Sequence, residues 1–233
     1  MNVPFLNIDA GELESEPPEL YLLAHVVEIA CGGHAGDDTS MARVLDACAA
    51  HGTGVGAHPS FPDRIGFGRT AITISAEALL ASVAEQCHSL ASIARRRGAT
   101  VRFAKLHGAL YHSANGDRAT ADSALRGMVE ALGYEITLLG PRKGALAERA
   151  AELGIRFAVE GFADRGMLAD GSLVPRGSVG ALIEDPALAA TQARTIAPSV
   201  DTICVHGDTP NAVAIAREVR SCLDAMARAK DAR

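Results

Sequence analysis

Short apolar runs alternate with longer amphipathic stretches from one end of the chain to the other, the pattern of repeated strand–helix units. Seven runs rich in Val, Ile, Leu, Phe or Ala read as strands, over residues 4–9, 26–31, 54–58, 101–105, 135–139, 156–160 and 202–205. Between them, Met41, Val44, Leu45 and Cys48 fall on one face of a helix over 39–51 that Gly52 stops. The same spacing marks a helix over 75–97, begun by Ser75 and ended by Gly98, and a last one carrying Ile215, Val219, Cys222, Leu223 and Met226. Weaker stripes predict helices over 18–25, 117–132, 143–153 and 186–196.

Seven such units predict an α/β fold in one domain, residues 1–233, since no linker or low-complexity tract divides them. Parallel strands with intervening helices close into a barrel or stay open as a doubly wound sheet, and the pattern is compatible with both. Both architectures put the functional site beyond the C-terminal ends of the strands. The residues there carry the chemistry: Asp9 and Glu12 after the first strand, His34 and Asp37 after the second, His58 after the third. Lys105 and His107 follow the fourth, Asp164 and Arg165 the sixth, and His206 with Asp208 the seventh. Four of the eight histidines thus fall on one predicted rim, with His112 a candidate fifth. An Asp just before a helix, such as Asp37, Asp117 or Asp208, is, taken alone, first of all an N-cap.

Neutral imidazoles and carboxylates are ligands for zinc, manganese or iron, and they also serve metal-free acid–base catalysis. No HxxxH or HExxH pair chooses between the two, so a divalent metal stays an open alternative. In the metal-free reading Asp9 activates water and His107, sharing a strand face with Lys105, protonates a leaving nitrogen. Arg165, Arg176 and Lys105 are the candidates to grip an anionic substrate.

Composition narrows the partners. The net charge is -6, from 22 basic against 28 acidic residues, and only 4% of residues are aromatic with no Trp, which disfavours a nucleic-acid surface. Five cysteines without a CxxC pair suggest neither a disulfide framework nor a thiolate zinc site, and a reducing compartment fits. No apolar stretch approaches the ~18 residues that span a bilayer, and the first ten residues lack a basic, apolar leader, so a soluble cytoplasmic protein is expected. Gly66-Phe67-Gly68-Arg69 is glycine-rich but lacks the phosphate-loop pattern.

Seven ordered segments carry a family resemblance. Leu6-Asn7-Ile8-Asp9-Ala10-Gly11-Glu12, Ala30-Cys31-Gly32-Gly33-His34-Ala35-Gly36-Asp37 and Val55-Gly56-Ala57-His58-Pro59-Ser60-Phe61-Pro62-Asp63 with Gly66-Phe67-Gly68-Arg69 open the set. Lys105-Leu106-His107-Gly108-Ala109-Leu110-Tyr111, Phe162-Ala163-Asp164-Arg165, Leu173-Val174-Pro175-Arg176 and Cys204-Val205-His206-Gly207-Asp208-Thr209-Pro210 complete it. Together they resemble the LamB/YcsF family. That resemblance implies a distorted, seven-stranded TIM-type (β/α) barrel similar to polysaccharide deacetylases. It also implies a component of an ATP-dependent 5-oxoprolinase that opens the cyclic amide of 5-oxoproline to glutamate. Two partner subunits of the allophanate-hydrolase and carboxyltransferase-like kind are implied too, with ATP used at the level of the complex.

On this reading Asp9, Glu12, Lys105, His107 and Asp164 are the candidate catalytic residues. His34, His58, Arg165, Arg176, His206 and Asp208 are the candidates for substrate binding. The chain departs from the family pattern at Leu106 (usually Pro), His112 (usually Asn) and Glu28 (usually Asn), and in two shorter loops. Those departures leave room for a stand-alone amidohydrolase or deacetylase on another small molecule, with or without a metal, or for a non-catalytic subunit.

Overall fold

In the computed structural model, which describes residues 3–168 and 172–231, the strands close on themselves. They are β1 (Phe5–Ala10), β2 (Val26–Ala30), β3 (Gly54–His58), β4 (Phe103–Lys105), β5 (Thr137–Gly140), β6 (Arg156–Phe162) and β7 (Thr202–His206). Each pairs in parallel with the next, and β7 returns to β1 with Asp9 opposite His206, so the barrel is chosen over the open sheet. The shell is built by α1 (Glu19–Leu23), α2 (Asp38–His51), α3 (Ala76–Arg96), α4 (Gly108–Gly116), α5 (Arg118–Leu132), α6 (Ala145–Glu152), α7 (Pro186–Ile196) and α8 (Ala212–Asp231). No helix of the described residues is long and apolar enough to cross a membrane.

Strand alternation sorts the side chains into two populations. Leu6, Ile8, Val27, Ile29, Val55, Ala57, Ala104, Leu138, Ile203 and Val205 join the hydrophobic core with the inner faces of the helices. Within that core α3 contributes Leu79, Val83, Cys87 and Leu90, all buried; a fully buried Leu such as Leu90 is worth roughly 1.5–3 kcal/mol. The alternate residues Asn7, Asp9, Glu28, Lys105, Glu160 and Thr202 are also buried, but they face the barrel axis.

The helix ends follow local chemistry. Asp37 accepts from the backbone N–H of Ser40 in a capping box for α2, and the side chains of Asp117 and Ser75 cap α5 and α3. Helix α4 is not anticipated by periodicity: its segment GALYHSANG carries glycine at both ends and buries only Leu110, Tyr111 and Ala114. Four strands run further than expected, β1 to Ala10, β5 to Gly140, β6 to Phe162 and β7 to His206, which extends the wall on which the site is built.

Candidate active site at the mouth of the barrel

At the centre of the barrel lies a single buried ammonium. Lys105 Nζ is 2.8 and 3.0 Å from the two oxygens of Asp9, 2.9 Å from Glu160 Oε1, 3.4 Å from Asn7 Oδ1 and 3.1 Å from Cys204 Sγ. A barrel interior is ordinarily filled by branched apolar residues, so a charged centre marks a functional layer. Burial drives the Asp9 carboxyl up, but His58, Lys105 and His206 outweigh it and hold Asp9 well below the usual carboxylate range. Burial likewise opposes the Lys105 charge, and Asp9, Cys204 and Glu160 overcome it.

Beside this layer, three imidazoles gather on one carboxylate. Glu12 Oε1 is 2.9 Å from His34 Nε2, 3.1 Å from His107 Nδ1 and 3.8 Å from His58 Nε2. The rings of His34 and His107 stack at 3.6 Å, and His107 Nδ1 is 3.0 Å from His58 Nε2. Burial lowers both His34, to about 4, and His107, favouring neutral rings. The ligand atoms of Glu12, His34, His58 and His107 lie within 4.8 Å of one another, so this buried group is able to hold a metal ion.

Neighbouring loops fix the cluster. Glu16 accepts hydrogen bonds from the backbone N–H groups of Gly11 (2.6 Å), Glu12 (2.9 Å) and Leu13 (3.2 Å) and from the Tyr21 hydroxyl, and so shapes the turn that presents Glu12. Phe67 adopts φ 54°, a left-handed conformation rare for a bulky residue, and its carbonyl meets His107 Nε2 at 2.9 Å. Gly68 follows at φ 64°, where an added Cβ would lie 2.8 Å from His34 Cβ and 3.0 Å from His107 Cδ2. The glycine-rich segment 66–69 is therefore a clamp over the histidines.

A cavity of about 450 Å³ opens above both groups, with Asp9, His58, Lys105, His107 and His206 at its base. His206 Nδ1 is 2.9 Å from Asp164 Oδ1, and Asp164 also accepts from the His206 backbone N–H (2.9 Å) and the Thr209 hydroxyl (2.7 Å). This leaves His206 Nε2 toward the cavity, 3.9 Å from Asp9 Oδ2. Arg69, Arg165 and Arg176 line the rim. Arg165 donates to the carbonyls of Ala181 (3.0 Å) and Val174 (2.8 Å), whereas Arg69 and Arg176 both pair with Asp208, the latter at 3.3 Å.

The model of the LamB/YcsF family matches residues 6–232. The chain belongs to the LamB/YcsF family. The A component of 5-oxoprolinase from Nocardia farcinica (strain IFM 10152) is 40% identical, with 94% of this chain and 95% of that protein aligned. Its counterpart from Symbiobacterium thermophilum, also named as the A component, is 36% identical over 94% of this chain and 91% of that protein. The crystal structure of a lactam utilization protein from Thermus thermophilus superposes with a TM-score of 0.88 at 33% identity, covering 97% of this chain and 98% of that one.

Within this LamB/YcsF barrel, Asp9, Glu12, His34, His58, Lys105, His107 and Asp164, all buried, and the half-buried His206 form one connected network. Arg165, Arg176 and Asp208 lie at its rim, and His112 lines the cavity wall. Asp37 caps its helix and takes no part. The expected pairing of Lys105 with His107 is not formed: Lys105 reaches across the barrel to β1 and β6, while both His107 nitrogens are engaged by Glu12, His58 and Phe67. Sequence reasoning missed Glu160, Glu28, Glu16, Tyr111 and Arg69. For Glu28 and Glu160 the signal is a charge standing at an alternating position inside an apolar strand.

Proposed function

We propose that this chain is the 5-oxoproline-cleaving component of an ATP-dependent 5-oxoprolinase. In this reading it opens the lactam to L-glutamate together with two partner subunits of the allophanate-hydrolase and carboxyltransferase-like kind. The two relatives named as the A component of 5-oxoprolinase align over more than nine-tenths of their own length, which supports this reading. The single observation that carries the reaction class is the Asp164–His206 pair facing the Asp9–Lys105 pair across a small cavity with an arginine rim.

The chemistry follows from that arrangement. ATP, at the level of the complex, transfers its terminal phosphoryl group to the lactam oxygen and leaves as ADP; water then adds to the carbonyl carbon, the C–N bond breaks as the ring nitrogen takes a proton, and a second water releases inorganic phosphate from the resulting acyl phosphate. His206, oriented by Asp164 with Nε2 toward the cavity, accepts the proton of water and returns it to the departing nitrogen. Asp9, anchored by Lys105, orients the water as a hydrogen-bond acceptor. Arg176 and Arg165 face the substrate carboxylate. His206 is preferred to His107 as proton carrier because neither His107 nitrogen is free to face the cavity.

The test is glutamate formation from 5-oxoproline, with ATP, by the purified chain with and without its partner subunits. Turnover only in the reconstituted mixture is expected. Absence of turnover in that mixture, with each protein folded, refutes the reading, and ATP-independent amide cleavage by the chain alone would replace it with a stand-alone amidohydrolase.

A further inference from the structure

The histidine cluster carries a hydrogen-bonding contradiction as long as its rings are neutral. A backbone carbonyl only accepts, so the ring nitrogen facing it bears the hydrogen. His58 Nδ1 faces the Lys105 carbonyl at 2.9 Å, and His107 Nε2 faces the Phe67 carbonyl at 2.9 Å. In neutral rings the other nitrogens, His58 Nε2 and His107 Nδ1, are then both bare lone pairs. They lie 3.0 Å apart, and Glu12 Oε1, a third acceptor, is 3.1 Å from His107 Nδ1 and 3.8 Å from His58 Nε2. Three acceptors pointed at one another in a site screened from water repel unless a metal ion or an added proton sits among them.

Histidine ligands of metals characteristically donate their second ring N–H to a carbonyl or carboxylate, which fixes the tautomer and aims the lone pair at the ion. His58 and His107 both show this arrangement, and the second carbonyl is held by the strained φ of Phe67. His34 supplies the fourth position: Nε2 is 2.9 Å from Glu12 Oε1, and its buried Nδ1 has no hydrogen-bond partner among the described residues. Around a tetrahedral ion with ligand bonds of roughly 2.0–2.1 Å, donors are separated by roughly 3.3–3.4 Å. Four of the six spacings in the cluster, from 2.9 to 3.8 Å, bracket that value, and all lie within 4.8 Å.

We propose that Glu12 Oε1, His34 Nε2, His58 Nε2 and His107 Nδ1 form a buried site for one divalent transition-metal ion of the zinc class. The imidazole-rich set selects such an ion over magnesium, which prefers oxygen ligands and retained water. His58 and His107 also line the cavity, which gives the ion an entry path and places its charge against the substrate. There it supplies Lewis acidity beside the Asp9–Lys105 pair. The site is independent of which amide is cleaved.

The test uses the full chain, without partners or substrate. After chelation and reloading, mass-spectrometric metal analysis should find one zinc per chain and no retained magnesium. Cobalt substitution should give the intense visible absorption of a four-coordinate nitrogen–oxygen site, and zinc should raise Tm. Glu12→Gln, which preserves shape while removing the anionic ligand, should weaken retention at least tenfold while circular dichroism stays native; His58→Ala should abolish it. A shared proton in place of the ion is the competing occupant. Under it no metal is retained and Tm is indifferent to chelator and zinc, and that result overturns the site, as does equal retention by wild type and both variants. A failed 5-oxoproline assay with metal bound refutes only the substrate reading.

Discussion

Replacing Glu28 with Gln should make the protein more stable than wild type, by a margin that grows with pH. Glu28 sits in the middle of β2, fully buried, and neither carboxylate oxygen has a hydrogen-bond partner among the described residues. Its register neighbours are Asp9 on one side and Gly56 on the other. Burial raises its carboxyl well above the ordinary range; Lys105 opposes that rise, and Asp9, Glu160 and Cys31 reinforce it. The folded state therefore holds a proton on Glu28 that the unfolded chain releases above pH ~4.5. Because the folded value is the higher one, stability is complete below the unfolded value and is lost as pH rises toward the folded value. The slope is about 1.4 kcal/mol per pH unit.

Glutamine has nearly the same shape and does not titrate. Across two pH units inside that window, wild type should fall behind Glu28→Gln by about 2.7 kcal/mol. For a chain of this size that is roughly 5–10 °C in Tm. Thermal melts of both proteins at pH 5, 6, 7 and 8 measure the gap. Parallel curves, or a gap that shrinks with pH, would refute the claim that Glu28 is protonated in the barrel.

Gly56→Ala drives a Cβ into the carboxyl group of Glu28 and should cost about 1–3 kcal/mol in urea unfolding, with Glu28→Ala in the same chain recovering much of it; additive losses would deny the contact. Asp164→Ala frees His206 to rotate and should lower kcat in the reconstituted assay roughly 10²-fold with a small change in KM, whereas a fall in Tm at unchanged kcat would make Asp164 a structural residue only. Arg176→Lys keeps the charge but loses the planar fork, so half-saturation should move to about tenfold higher 5-oxoproline at similar kcat; an unchanged curve removes Arg176 from the substrate site. Glu16→Ala strands three backbone N–H groups around Glu12 and should cost about 3 kcal/mol, with metal retention lost in parallel; retention as in wild type would separate the turn from the site.

Which of these features the chain announces depends on how local their cause is. Strand positions were legible because each strand is short, apolar and followed by a turn, and helices α2 and α3 because one stripe and one cap each suffice. Helix α4 was not, since its glycine-bounded segment owes its order to packing of Leu110 and Tyr111 against the barrel rather than to propensity. Strand-end placement found Asp9, His34, His58, His107 and His206, because in a barrel those ends converge whatever the loops do. It could not show that Lys105 crosses the barrel to Glu160, a contact between β4 and β6 that exists only once the sheet closes. Tautomers were equally invisible: the Phe67 carbonyl reaches His107 across forty residues, through one unusual φ.

Charge balance ties the barrel interior to the cluster beside it. Asp9 and Glu12 are held ionised, and Asp9 in turn holds the His58 imidazole above its ordinary range and shares the Lys105 ammonium with Glu160. An ion pair in a dry interior offsets its desolvation only when both charges are matched. Burial first, and the neighbouring acids Asp9 and Glu160 after it, keep the proton on Glu28 in the folded state. Glu12 lies on the side where His107 Nδ1 approaches to 3.1 Å and His58 Nε2 to 3.8 Å. A divalent ion at that point cancels two negative charges and gives three acceptors a common partner. The same charge leaves the Asp9 carboxylate free to serve the cavity, because Lys105 no longer stands alone against every acid in the barrel.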